Sequence, residues 1–287
     1  MYRMIAIDLD GTLLSPTGEV TPAVKDAIQR ALGAGLLVCF ATGRNWTESK
    51  LVLEAVEHYD TAVFVGGAMV VDTRSGSTLH RQLMDPKLAQ DVAALLEAAG
   101  QVVLALQDTH AADGVDYIVT DGIDLNDATA TWMEATSAIC KRVPTLSQYD
   151  HAHTVRLGIV AEADLTQRLE TALTEKFASR VFMHSIRIPA FGVNVLEVFD
   201  PAVNKWEGLL HVARQRGITA QEIIAVGDDI NDLAMIGQAG LGVAMGNARD
   251  VVKQAAQRVI GTNAEDGLAH FIHELIDTGK VKPVAAA

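Results

Sequence analysis

Short apolar runs alternate with longer helical patterns at both ends of the chain, and this alternation constrains the fold more than any other feature. MIAIDL (4–9), LLVCFA (36–41) and AVFV (62–65) read as strands. Between the first two, TPAVKDAIQRALGAG (21–35) carries Val24, Ala27, Ile28, Ala31 and Leu32 at helical spacing and ends on Gly33 and Gly35. A second helix is expected near 46–57. The β-α-β-α-β order predicts a parallel sheet with helices on its faces. The far end repeats the pattern: EIIAVG (222–227), LGVAM (241–245) and RVIG (258–261) read as strands. NDLAMIGQAG (231–240) and ARDVVKQAAQ (248–257) read as helices between them.

The middle of the chain differs. A helix is expected at 86–99, then two strands in succession, VVLALQ (102–107) and DYIVT (116–120). A helix near 127–138 follows, then a strand at 155–161, a helix at 163–178 and strands at 181–187 and 193–199. Two consecutive strands after one helix point to an antiparallel α+β unit. The expected organisation is therefore a doubly wound parallel-sheet α/β core (1–82 and 200–287) interrupted by an α+β domain (83–199). VKPVAAA at the end reads as a frayed tail.

The 287 residues suffice for one large or two ordinary domains, and 49% are hydrophobic, so a sizeable core is available. The net charge of −13 argues against a nucleic-acid binder and against a polybasic membrane-surface protein. An anionic substrate must then be met by local positive charge, from a metal or a few lysines. Cys39 and Cys140 form neither a disulfide framework nor a metal-ligand spacing. The start shows no signal-peptide pattern, and no stretch approaches the roughly 20 apolar residues of a membrane span. A soluble protein of a reducing compartment, the cytoplasm, is expected, as a monomer or small homo-oligomer.

The chemistry is concentrated at strand ends. In DLDGTLL (8–14), Asp8 and Asp10 follow an apolar strand. Residues i and i+2 of a strand share a face, so both carboxylates are expected to project together where open α/β sheets bind ligands. Two close carboxylates repel unless a cation shares them or one keeps a proton. A second acidic group, VGDDINDLAM (226–235), follows another strand; Asp228 and Asp232 lie four residues apart, and Asp228 or Asp229 is also a plausible helix cap. Hard oxygen ligands from two strand ends suit Mg²⁺. FATGRN (40–45) adds the Thr42 hydroxyl and, at Gly43, backbone that an anion can approach closely. Lys205, in PAVNKWEG, offers charge to a phosphoryl group. Metal, carboxylates, hydroxyl and lysine together suit phosphoryl transfer.

DLDGTLL, ATGR, Lys205 and GDDIND resemble the four motifs of the haloacid dehalogenase superfamily. The inserted α+β unit, AMGNA (244–248) and NAEDGLAHFI (263–272) resemble its Cof-type phosphatases with a type IIB cap. The resemblance implies Asp8 as nucleophile and Mg²⁺ ligand, and Asp10 as general acid and base with its backbone carbonyl on the metal. It implies Thr42 and Gly43 as holders of the phosphoryl oxygens and Lys205 as the charge that steadies phosphate and nucleophile. Asp228 is implied as a direct metal ligand, Asp232 as orienting metal-bound water or Lys205, and Asn231 as reaching a phosphoryl oxygen. FVGGA (64–68) departs from the pattern, with Gly66 where Asn is common, and Trp206 stands where glycine is common.

Arg44 either touches substrate or pairs with a nearby acid. His151 and His153 share a face if extended, but have no third ligand and read as surface histidines. His110 and Asp113 read as a polar turn, and Asn247 as a structural cap. The expected activity is Mg²⁺-dependent hydrolysis of a small phosphorylated metabolite, sugar phosphates first and cofactor phosphates next. The alternatives are a phosphomutase with the same intermediate and a non-enzymatic binding or regulatory protein on the same fold.

Overall fold

The structure is a computed structural model that describes residues 1–135, 137–188 and 191–284. Position 136 of the helix expected near 127–138, and positions 285–287 of the expected frayed tail, lie outside the described residues. The chain divides into two compact units, Met1–His80 with Asn204–Ala287, and Arg81–Val203.

The first unit begins β1 (Met4–Ile7), α1 (Pro22–Gly33), β2 (Leu37–Phe40), α2 (Trp46–Ala55), β3 (Thr61–Phe64), β4 (Met69–Asp72) and β5 (Thr78–Arg81). The helix starts are written locally: Thr21 accepts the Val24 N–H, and Asn45 forms a capping box with Glu48. The second unit contains α3 (Pro86–Ala98), β6 (Leu104–Gln107), β7 (Tyr117–Thr120), α4 (Asp127–Ala135), β8 (Cys140–Val143), β9 (Thr154–Glu162), α5 (Ala163–Phe177), β10 (Phe182–Ile188) and β11 (Val193–Phe199). The chain then returns to the first unit through α6 (Lys205–Gln215), β12 (Ile223–Gly227), α7 (Leu233–Gln238), β13 (Leu241–Ala244), α8 (Asp250–Ala255), β14 (Arg258–Val259) and α9 (Gly267–Asp277).

The core sheet of the first unit has the order β14-β13-β12-β1-β2, and every pair in it is parallel. β1 lies between β12 and β2, and all four of its residues are fully buried. That explains its unbroken apolar run, since a central parallel strand is covered on both faces. The strand expected at 62–65 touches this sheet through a single parallel bridge, Ala41 to Val63. Its full partner is β4, with which it forms an antiparallel hairpin extended by β5.

The second unit is a six-stranded sheet of order β10-β11-β9-β6-β7-β8. Its pairs are antiparallel except β7 with β8, which the crossover through α4 makes parallel. Leu88, Val92 and Leu96 of α3 and Leu169, Leu173 and Phe177 of α5 pack with Leu157, Ile159, Leu196 and Val198 of the sheet. The expected surface pair His151 and His153 is corrected here. His151 is not extended (φ +55°) and is fully buried, with Nδ1 against Thr154 Oγ1 (2.9 Å) and Nε2 against the Leu146 carbonyl (2.8 Å). A buried imidazole with both nitrogens partnered is a core residue. His110 and Asp113 lie in a turn. Both cysteines are free. Among the described residues no helix is long and apolar enough to cross a membrane.

Candidate active site

β1 stops at Ile7, one residue before the first acid, and the chain enters a wide turn over Leu9–Leu13. Leu13 N–H donates to the Asp8 carbonyl (3.2 Å) and Leu14 N–H to that of Leu9 (2.9 Å). Because the strand has ended, the two-residue period no longer governs residue 10, and the expected common face of Asp8 and Asp10 gives way to two separate settings. Asp8 is buried and takes the Lys205 ammonium at 2.7 Å. Asp10 is 57% exposed and takes the Arg44 guanidinium on both oxygens, at 2.8 and 2.5 Å. Each acid has its own cation. Of the two readings of Arg44, the structure displays the pairing with an acid.

The turn is shaped for a neighbour. Gly11 has φ +77°, and a Cβ there would lie 2.3 Å from Asp228 Oδ2. Thr12, next along, donates its hydroxyl to Asp228 Oδ1 (3.0 Å). Thr12 was visible in DLDGTLL but received no role from the sequence; its hydroxyl is what joins the first acidic motif to the second.

The second motif follows β12. Asp229 serves as the cap, accepting the Ile230 N–H at 2.7 Å. Asp232 is fully buried. Its Oδ2 accepts the N–H groups of Asp228 (2.8 Å) and Asp229 (3.1 Å), and its Oδ1 accepts Lys205 Nζ at 2.6 Å. The expected helix over 231–240 is shorter than predicted: Ile230–Asp232 forms one tight turn and α7 starts at Leu233. Asn231 turns its amide toward Gly43, with Nδ2 3.8 Å from where a Cβ on that glycine would stand.

Lys205 is the first residue of α6 and is 1% exposed. Trp206 beside it is buried in the core. Thr42 is fully buried at the end of β2, and its Oγ1 accepts the Arg44 backbone N–H (3.1 Å). Its own hydrogen is thereby left to donate elsewhere. Asn247 ties two loops together, donating to the Gly11 carbonyl (2.8 Å) and accepting from Asn263 N–H (2.9 Å).

The charges of this cluster do not balance. Asp8, Asp228 and Asp232 each place one oxygen within 4.8 Å of the others, against the single Lys205 ammonium. Burial, then the charge of Asp232, pushes the Asp8 carboxyl well above its ordinary range. The same two causes push Asp228 up to about 7. Burial opposes the Lys205 charge, but Asp232 and Asp8 outweigh it and hold the ammonium firmly protonated. Carboxylates raised in this way are short of positive charge. Three hard oxygen donors converging with one cation too few fit Mg²⁺.

A sequence model of the haloacid dehalogenase-like hydrolase family matches residues 5–272. The chain belongs to this family. A Bacillus subtilis relative in it, the 5-amino-6-(5-phospho-D-ribitylamino)uracil phosphatase YitU, is 29% identical over 94% of this chain and 96% of its own. The HMP-PP phosphatase of Cronobacter sakazakii is 28% identical over 96% of this chain and 97% of its own. The solved subclass IIB sugar phosphatase BT4131 shares the fold, with a TM-score of 0.77 at 20% identity over 96% of this chain and 99% of that one. The haloacid dehalogenase resemblance read from the motifs therefore holds, and the match spans both units.

Proposed function

We propose that this hydrolase is a Mg²⁺-dependent phosphatase that cleaves small phosphomonoesters through an aspartyl-phosphate at Asp8. The observation that carries the reading is Lys205, buried between Asp8 and Asp232 at the carboxyl ends of β1 and β12. A carboxylate held in this way keeps its attacking position and part of its charge compensated.

In the first half-reaction an Asp8 oxygen attacks phosphorus, the bond to the leaving oxygen breaks, and Asp10 gives that oxygen a proton. In the second, the Asp10 carboxylate takes a proton from water as the water oxygen attacks phosphorus. The acyl-phosphate bond breaks, Asp8 recovers its electron pair, and phosphate is released. Thr42 O–H, Gly43 N–H and the Asn231 amide hold phosphoryl oxygens, and Arg44 holds Asp10 between turnovers. Mg²⁺ would be held by Asp8, Asp228 and the Asp10 carbonyl, with Asp232 behind them, and would supply charge neutralisation for the phosphoryl group.

The proposed substrates are sugar phosphates first and cofactor phosphates second. In support, the Bacillus relative is named for a compound phosphorylated on a ribityl chain. We assign the unit Arg81–Val203 to substrate selection, as a cap. Three arginines of that unit are engaged, Arg81 with Asp108, Arg142 with Asp121 and Arg156 with Glu197, which favours hydrolysis over a mutase that must hold a second phosphate. The test is phosphate release from a panel of phosphomonoesters, with Mg²⁺ or chelator, by the wild type and by Asp8→Asn. Metal-dependent release that Asp8→Asn abolishes supports the reading. Release that survives in Asp8→Asn, or none from any ester, refutes it.

A further inference from the structure

The double glycine at 66–67, where the chain departs from its family's common Asn-Gly, has a structural role that the mechanism above does not use. Gly66 has φ +64° and ψ 14°, the left-handed region in which asparagine is the best-tolerated residue after glycine. The exchange therefore preserves the backbone path. Gly67 (φ +109°) lies against the start of α6: a Cβ there would stand 2.0 Å from the Asn204 carbonyl oxygen and 2.9 Å from Lys205 N. One turn further along α6, a Cβ on Gly208 would stand 2.5 Å from Val63 Cγ1 and 3.3 Å from the Gly67 carbonyl oxygen. On its other side the same turn holds the candidate phosphate loop. Gly66 N–H donates to the Thr42 carbonyl (3.0 Å) and Val65 N–H to that of Arg44 (2.9 Å).

We infer that the Val65–Gly67 turn and Gly208 form a seat that positions Lys205 against Asp8, and that they are positioning residues for phosphoryl transfer. The inference rests on the phosphatase reading above. Lys205 begins the helix that this seat receives, and its buried ammonium bridges Asp8 and Asp232 at 2.7 and 2.6 Å. Hydrogen bonds of this kind are lost within a fraction of an ångström beyond 3.2 Å. A side chain at 67 or 208 lifts the helix off its seat and carries Nζ with it. Alanine at 208 would favour the helix taken alone, so a purely local account predicts gain, not loss, from that change.

The experiment compares wild type, Gly208→Ala, Gly208→Ala with Val63→Ala, and Val63→Ile, which presses the same contact from the strand. Crystal structures read the Nζ–Asp8 separation, and kcat, KM and Tm are measured with Mg²⁺ and a phosphomonoester. In Gly208→Ala and Val63→Ile, Nζ moves away from Asp8 and kcat falls about 10- to 100-fold while KM changes less than about threefold. Tm is held in Gly208→Ala, and removal of the Val63 methyls restores both the separation and kcat. An unmoved Lys205, an unchanged kcat, or a loss that follows Tm and is not restored overturns the inference. If the wild type hydrolyses no ester, the phosphatase reading fails, and the separations in the four structures still decide whether the seat places Lys205.

Discussion

Lys205 Nζ and Asp8 Oδ1 lie 2.7 Å apart although 197 positions separate the two residues in the chain. They meet because β1 and β12 are adjacent parallel strands whose carboxyl ends open to the same side, and α6, which carries Lys205, precedes β12. The whole second unit is inserted between them without interrupting the sheet.

Removing that ammonium leaves Asp8 and Asp232 buried and facing each other. Lys205→Met is expected to lower kcat at least about 100-fold. Without metal at neutral pH it should also cost about 3–5 kcal/mol of unfolding free energy, the scale of a broken buried pair. The stability loss should shrink at pH 5, because lowering the pH favours the protonated form of the raised Asp8 carboxyl. Urea unfolding at the two pH values checks this.

Asp8 and Asp228 are raised in the fold, Asp228 to about 7, so the folded protein holds more protons than the unfolded chain between about pH 4 and 7. The contribution of Asp228 to metal-free stability therefore falls as pH rises through that window, and that of the raised Asp8 changes in the same direction. Mg²⁺ competes with those protons. Its stabilisation, read as the shift in Tm, should be small at pH 5 and larger at pH 8. An equal shift at both values contradicts the assignment of these carboxylates to the metal.

Gly11 is required twice, by its positive φ and by the approach of Asp228. Gly11→Ala should lose about 1–3 kcal/mol of stability from backbone strain. It should also weaken Mg²⁺ binding, since the new Cβ occupies the place of the Asp228 carboxylate. Isothermal titration with Mg²⁺ measures the second effect separately from the first.

Asp10 and Arg44 form a partly exposed pair, so Arg44→Met should change stability by less than about 1 kcal/mol. Asp10→Asn should act on chemistry instead. It should lower kcat/KM, which reports the first half-reaction, about 10²- to 10⁴-fold for an alkyl phosphate and much less for p-nitrophenyl phosphate, because nitrophenolate departs without a proton. Equal losses on both esters would remove the acid role from Asp10.

The elements that were legible in the sequence are those with one dominant period. The buried runs of β1, β2 and β12 and the helical stripe of α1 agree with the structure to within a few residues. The acids were legible as types at strand ends. Their pairing was not, because the turn after Ile7 sends Asp10 to Arg44 while Asp8 turns inward to Lys205. β8 was not assigned, since CKRV has no apolar alternation and is held by its parallel neighbour. The β4–β5 hairpin was hidden because β5 is half-exposed and its pattern weak. α9 carries a readable signal: Leu268, Phe271, Ile272 and Leu275 are buried at helical spacing. The Thr12–Asp228 bond and the seat at Gly67 join residues far apart in the chain, and no local pattern announces them.

In the proposed reaction Asp8 carries the phosphoryl group. Single-turnover reaction with a phosphomonoester, acid quench, borohydride reduction and peptide mass spectrometry test it directly. Reduction of an aspartyl-phosphate converts that residue to homoserine, and the conversion is expected at Asp8 alone and only with Mg²⁺ present. Phosphate released while Asp8 stays unmodified throughout, or conversion at another residue, would contradict it.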